Sequence, residues 1–306
     1  MSEERTPWRY FIEHQTPHTS VIHEIKRIVY SGRTRYQQVD VIETHDFGLC
    51  LILDGKMQST MADEWIYHEA LVHPAMITHP RPSKVAIIGG GEGATAREVL
   101  RHRCVERTVM VDLDEEVVKI SLRYLNKMGG KALKDPRLTL IYGDGRKFIE
   151  GTNDVFDVIV VDVTDPLSGG PSYLLYTKEF YKEVYRKLSD EGVMVTQATS
   201  TFYSLNCFAA IYRTIASIFP IARPYHAWVP SFNAMWGFVI GSKHHDPLKI
   251  GAKSIANRLK ERDVRGLKFY SPKLHRSLFV LPKYLEKALK AEKRIISDDQ
   301  PVFMPA

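Results

Sequence analysis

Residues 157–173 read Asp-Val-Ile-Val-Val-Asp-Val-Thr-Asp-Pro-Leu-Ser-Gly-Gly-Pro-Ser-Tyr. The run 158–161 is entirely β-branched and apolar, without alternation. Bounded by turn residues, it reads as a strand buried on both faces, as in a parallel sheet. Asp162 and Asp165 follow, then Pro166 and a Gly-Gly-Pro loop. Open α/β sheets bind ligands beyond the carboxyl ends of their strands, so both acids stand where such a fold keeps its site. An aspartate before proline also serves plain turns, and that reading suits Asp165 taken alone equally well. The pair plus the glycine loop points to function.

Working outward, the same pattern repeats. Strands are expected over 85–88, 108–111, 138–142 and 193–197, and helices over 95–102, from about 114 to 126, over 178–188 and over 204–219. Strands over 221–229 and 237–240 are expected to be antiparallel at the sheet edge, with helices over 253–262 and 282–292. Alternating β and α units argue for an α/β fold with a doubly wound, Rossmann-like sheet of the methyltransferase type. Upstream, 8–60 reads as β structure, with strands at 36–43 and 49–53 and turns at 44–48 and Asp54-Gly55. A helix is expected over 63–73, ended or kinked by Pro74. The chain thus divides into an N-terminal antiparallel β-hairpin domain, 1–62, and a Rossmann-like domain, 63–306.

The bulk properties exclude several classes. At 306 residues, 44% hydrophobic and 25% charged, the chain is ordinary for a soluble globular protein. No apolar run approaches the ~20 residues of a membrane span, and Met1 to Pro7 has no apolar core to act as a secretory signal. Three widely spaced cysteines suggest neither disulfides nor zinc, so a cytoplasmic location is expected. The net charge of +6 raises nucleic-acid binding. The basic residues are scattered, however, and the densest group (Lys283, Lys287, Lys290, Lys293, Arg294) has the spacing of a solvated helix face. No nucleic acid or membrane partner is expected.

The loop Gly89-Gly90-Gly91-Glu92-Gly93 joins a strand to a helix, where glycines let a ligand approach the backbone. Its spacing is not the dinucleotide Gly-x-Gly-x-x-Gly, and Glu92 within it would repel a pyrophosphate. A cationic sulfonium nucleotide fits better. Asp112, 21 residues beyond Gly91, ends the next strand, where an acid accepts hydrogen bonds from ribose hydroxyls; its plainer role as a helix cap falls better to Asp114. Asp144, before Gly145, ends the third strand as an adenine-amino ligand or a turn residue. Glu92, Asp162 and Asp165 together suit a pocket for amines. An alkylamine, with a pKa of roughly 10 like lysine, must lose a proton before attacking carbon, so a carboxylate in reach is a natural general base.

These residues carry a resemblance. Leu53-Asp54-Gly55-Lys56-Met57-Gln58, Asp63-Glu64 with Tyr67-His68-Glu69, Ile88 to Gly93, Asp144-Gly145, Asp162-Val163-Thr164-Asp165-Pro166 and Thr196-Gln197 resemble the polyamine aminopropyltransferases, the spermidine and spermine synthase family, over nearly the whole chain. The resemblance implies transfer of an aminopropyl group from decarboxylated S-adenosylmethionine, a co-substrate, to a polyamine, with methylthioadenosine released and neither cofactor nor metal needed. It implies that Gln37, Gly89, Gly91, Asp112, Asp144, Gly145 and Pro171 hold the nucleoside. Tyr67, His68, Glu92, Asp165 and Gln197 would hold the amine, with Asp162 as proton acceptor. Tyr67 and His68 also fit as helix packing residues. Glu92, Ser168-Gly169-Gly170-Pro171 and Val229-Pro230-Ser231-Phe232 depart from most spermidine synthases and resemble the thermospermine synthase branch, so spermidine is the expected acceptor, with putrescine, agmatine or another diamine as alternatives. The β-rich N-terminus and the resemblance suggest a homodimer or homotetramer. An S-adenosylmethionine-dependent methyltransferase and a basic binding module are the competing classes.

Overall fold

The computed structural model describes residues 9–305; the segment 1–7, read above as lacking a secretory signal, and the outer limit of the β reading at residue 8 lie outside them. Five antiparallel strands, β1 (Tyr10–Thr16), β2 (Thr19–Arg33), β3 (Gln38–Thr44), β4 (Gly48–Leu53) and β5 (Lys56–Thr60), pair in chain order. Asp54 and Gly55 turn β4 into β5 with φ of 47° and 74°, the positive pair that an Asp-Gly hairpin adopts. Val39 and Val41 pack on Val117 and Ile120 of the second unit, and Ile42 enters a separate cluster with Leu71 and Ala75.

α1 (Glu64–Thr78) leads into the second unit, which alternates β6 (Lys84–Gly89), α2 (Ala94–Leu100), β7 (Arg107–Asp112), α3 (Glu115–Tyr124), α4 (Asn126–Gly129), β8 (Leu138–Tyr142), α5 (Gly145–Gly151), β9 (Phe156–Asp162), α6 (Lys178–Lys187), β10 (Leu188–Ser200) and α7 (Leu205–Ala216). β11 (Ile221–Val229), β12 (Ala234–Ser242), α8 (Ala252–Glu261), α9 (Pro272–Leu278) and α10 (Lys283–Ala291) complete it. The seven strands lie in the order β11-β12-β10-β9-β6-β7-β8. All neighbours from β10 to β8 are parallel, and β12 is antiparallel to both β10 and β11. Alternate residues of the central strands feed opposite cores. Val85, Ile87, Val158 and Val160 pack with α1 and α2, while Ala86, Ile88, Ile159 and Val161 pack with α6 and α7. Burial on both faces is why 158–161 shows no polar alternation. Among the described residues no helix is long and apolar enough to cross a membrane.

Three local expectations change. Pro74 neither ends nor breaks α1, which runs on to Thr78. The carbonyl that the missing proline N–H would have paired, Ala70 O, accepts the Tyr225 hydroxyl at 2.9 Å instead. A short helix, α5, follows Asp144 where only a turn was read. A further helix, α9, fills the C-terminal region; Ser271 caps it by accepting from Leu274 N at 3.2 Å, and Pro272 opens it.

Candidate active site

The chain leaves β6 for β7 and β8 on one side and returns through β9 on the other, so the strand order reverses between β6 and β9. Their carboxyl ends register Gly89 against Asp162. The approach is so close that a Cβ on Gly89 would lie 2.0 Å from the Asp162 carbonyl oxygen, and Gly89 has φ +85°. Only glycine serves there. Gly90 N–H then donates to that carbonyl at 2.9 Å.

A cavity of about 130 Å³ opens above this switch point. Gly89, Gly91, Asp112, Gly145, Pro171 and Gln37 line it, as do Tyr67, Glu92, Asp162, Asp165 and Gln197. The structure therefore brings eleven of the thirteen residues singled out from the sequence around one space. Five carboxylates (Glu92, Asp112, Asp114, Asp162, Asp165) line it, and among the described residues no lysine, arginine or histidine does. Such a wall selects cations. A smaller space of about 20 Å³ shares Asp165, Thr164, Gln58 and Pro171 with it.

At one end, Asp112 is reached from Gln37 through Asp114. Gln37 Nε2 and Thr34 Oγ1 donate to Asp114 Oδ2 at 3.1 and 2.6 Å. Asp114 caps α3 through its Oδ1, as the sequence suggested, and Asp114 N donates to Asp112 Oδ1 at 2.9 Å. Burial, opposed by that backbone hydrogen bond and reinforced by Glu92, pushes the Asp112 carboxyl up to about 7. Asp144 is exposed and lies outside the cavity wall, beside Gly145, and its Oδ1 caps α5 by accepting from Arg146 N and Lys147 N at 2.8 and 3.2 Å. Helix capping uses one of its oxygens, and Gly145 lies at the wall.

At the other end, the Tyr67 hydroxyl donates to Asp162 Oδ1 at 2.7 Å. Burial and then Glu92 raise the Asp162 pKa above the ordinary carboxylate value. Burial likewise pushes Asp165 up to about 6, opposed by the 3.2 Å hydrogen bond from Gln197 Nε2. Gln197 is itself fixed, accepting from Thr199 N at 2.9 Å and Trp236 Nε1 at 3.2 Å. Phe232 closes this end edge-on, 4.8 Å from Trp236 and 5.9 Å from Tyr67. Asp63 sets its place: Ser231 N and Oγ donate to Asp63 at 2.7 and 2.9 Å.

His68 stands behind the wall. It is 1% exposed and does not line the cavity. Its Nδ1 lies 2.9 Å from Glu64 Oε2 and its Nε2 2.8 Å from Glu92 Oε1. Burial disfavours the charged ring, but the hydrogen bonds to Glu64 and Glu92 outweigh it and hold the His68 pKa well above 6.5. His68 therefore acts on the cavity from behind its wall, by aiming Glu92 and through its charge on Asp162. Arg97 completes the support, donating NH1 and NH2 to the two oxygens of Glu64 at 2.8 Å each. His68, Glu92 and Asp162 place donor atoms within 4.8 Å of one another. An imidazolium has no lone pair for a metal until it loses its proton, and of the three only the carboxylates of Glu92 and Asp162 could accept from an ammonium.

Three residues escaped the sequence reading. Glu64 enters the sequence reading only within the Asp63-Glu64 match, with no role of its own. Thr95 donates to Asp162 Oδ2 at 2.5 Å, and its only sequence signal is a hydroxyl just past the glycine loop. Glu13 is a buried acid on β1, accepting from Met57 N at 3.1 Å and raised by burial to about 7, with Asp165 among the charges acting on it. A lone acid on a strand carries no signal by itself.

Comparison with known proteins agrees with this geometry. Residues 64–250 match the spermine/spermidine synthase domain, and residues 9–61 match the spermidine synthase tetramerisation domain. The polyamine aminopropyltransferase 2 of Hyperthermus butylicus is 44% identical over 303 residues, 99% of each chain. The polyamine aminopropyltransferase of Sulfolobus acidocaldarius is 42% identical over 299 residues, 98% of this chain and 99% of its own. A spermidine synthase in complex with the transition-state analogue AdoDATO superposes with a TM-score of 0.87 at 33% identity, covering 94% of this chain and 96% of that one. Spermidine synthase from Thermotoga maritima gives 0.85 at 32%, covering 94% and 95%. The chain belongs to the spermine/spermidine synthase family.

Proposed function

We propose that this aminopropyltransferase takes decarboxylated S-adenosylmethionine as donor and spermidine as preferred acceptor, giving thermospermine. The observation that carries the transfer reading is the cavity wall of five carboxylates without a basic residue. Two cationic substrates, a sulfonium and a polyammonium, suit that wall, whereas the carboxylate of intact S-adenosylmethionine would meet Glu92 unfavourably. Asp112, Gln37, Gly89, Gly91, Gly145 and Pro171 are assigned to the nucleoside. Tyr67, Glu92, Asp165 and Gln197 are assigned to the amine, with His68 behind Glu92.

Asp162 is assigned as general base. It takes a proton from the acceptor ammonium, and the freed lone pair attacks the methylene next to sulfur. The carbon–nitrogen bond forms as the carbon–sulfur bond breaks, and the bonding pair leaves with sulfur as methylthioadenosine. Alignment and proton removal carry the rate, with no covalent enzyme intermediate. The length of the acceptor is assigned to Glu92 and Phe232 at the cavity wall, while the small space past Asp165 carries Lys56 as well as Asp54 and Asp165. Diamines such as putrescine or agmatine are the competing acceptors.

The N-terminal unit, 1–62, is assigned to assembly and 63–306 to catalysis. The match to a tetramerisation domain supports an oligomer, and Tyr10, Ile12 and Ile22, each at least half exposed, give the hairpin an apolar surface for it. Three free cysteines suit a cytoplasmic setting. The decisive experiment is product identification by chromatography after incubation with the decarboxylated donor and a panel of amines. Thermospermine from spermidine, with methylthioadenosine in equal amount, is expected. Methyl transfer from intact S-adenosylmethionine, with the decarboxylated donor ignored, would overturn the reading.

A further inference from the structure

Three donors converge on Asp162. Gly90 N–H takes its main-chain carbonyl, Tyr67 takes Oδ1, and Thr95 takes Oδ2. The first two belong to the cavity wall. Thr95 does not: it is fully buried in the first turn of α2 and absent from the wall, so its hydroxyl touches neither substrate. A helical threonine commonly returns its hydroxyl to a carbonyl four residues back; here the hydroxyl is spent on Asp162 instead.

We propose that Thr95 is a positioning residue for the base. Its hydroxyl holds the second oxygen of Asp162, fixes the plane of the carboxylate against Tyr67, and favours the ionised form that can accept the acceptor's proton. Gly90 leaves room for this: a Cβ there would sit 3.3 Å from Asp162 Oδ2 and 3.5 Å from Thr95 Cβ. The inference rests on Asp162 being the base. The charged and titratable groups acting around Asp162 are Tyr67 and His68 from α1, Glu92 from the glycine loop, Asp112 from the end of β7 and Tyr176 beyond β9. Burial and then Glu92 favour its neutral form; the charge of His68, followed by the Thr95 and Tyr67 hydrogen bonds, opposes them. A hydrogen bond to the charged form lowers a carboxyl pKa, so removing one must raise it.

The test is Thr95→Val, which keeps the shape and removes the hydroxyl, with Thr95→Ser as rescue, in the full-length enzyme. For Thr95→Val, the acidic limb of the kcat/KM profile is expected to move up by about one pH unit. Below the wild-type limb the rate then falls about tenfold, and it recovers as the pH rises past the new limb. Thr95→Ser restores the wild-type limb, and both variants bind methylthioadenosine as the wild type does. An unmoved limb at full rate overturns the proposal. So does a loss that is equal at every pH and is not restored by serine, which would mark Thr95 as packing alone. Asp162→Asn separates the two levels. If it retains wild-type turnover, the assignment of the base fails and the role of Thr95 falls with it. If it loses turnover while Thr95→Val keeps the wild-type limb, only the Thr95 proposal fails.

Discussion

Gly91→Ala offers a quantitative test of the nucleoside end. Gly91 lies outside the left-handed region, so alanine adopts its backbone without strain. The added Cβ would fall 2.9 Å from Asp112 Oδ2 and 3.4 Å from Val117 Cγ1. Val117 is buried and cannot yield easily. Asp112 must therefore move, by roughly half an ångström to regain ordinary contact, while Asp114 N still holds its other oxygen. If that carboxylate carries the ribose hydroxyls, the shift removes or lengthens charge-assisted hydrogen bonds worth about 1.5–3 kcal/mol. Affinity then falls roughly ten- to a hundredfold. Calorimetric titration with methylthioadenosine measures this directly. Because the substitution acts through Asp112, Gly91→Ala added to Asp112→Ala should cost almost nothing more. Binding within twofold of wild type, or fully additive losses in the double variant, would refute the reasoning.

Three other outcomes are expected. Asp162→Asn should cut turnover by about 10²- to 10⁴-fold, the scale of general-base catalysis, while calorimetry shows methylthioadenosine still bound. Glu92→Asp withdraws the carboxylate from His68 Nε2; competition between spermidine and putrescine should show the preference shifting about tenfold, and an identical preference would remove Glu92 as a selector. Glu64→Gln concerns stability. Burial opposes the charged form of Glu64, but His68 and Arg97 outweigh it and lower its pKa from 4.5 to about 2. That difference corresponds to about 3 kcal/mol. The stabilisation is present in full above 4.5 and is lost as the pH falls toward 2. Urea unfolding should show the penalty of Glu64→Gln at pH 7 and a smaller one at pH 3; equal penalties would discount the ion cluster.

The strand ends were legible because burial on both faces forces apolar runs such as 158–161, and the acids that interrupt them stand out. Asp112, Asp162 and Asp165 follow from that contrast, and Asp114 from cap chemistry. What stayed hidden depends on where a side chain turns in three dimensions. His68 and Tyr67 are adjacent on α1, yet one lines the cavity and the other is sealed behind it. Asp144 shares its setting with Asp112 but caps α5, a helix whose short, glycine-flanked sequence hides it. Thr95 acts on a residue 67 positions away, a relation that no local pattern records.

Pro74 and Tyr225 form a bargain between distant parts of the chain. A proline inside α1 leaves a buried carbonyl orphaned, and a hydroxyl from β11 adopts it. Neither partner is free to vary alone. Losing the hydroxyl strands the carbonyl, while restoring an ordinary residue at 74 makes the hydroxyl redundant. The two positions should therefore drift as a unit among related chains, with tyrosine retained wherever proline is. Through that linkage the edge of the sheet has a stake in α1, the helix that presents Tyr67 to Asp162.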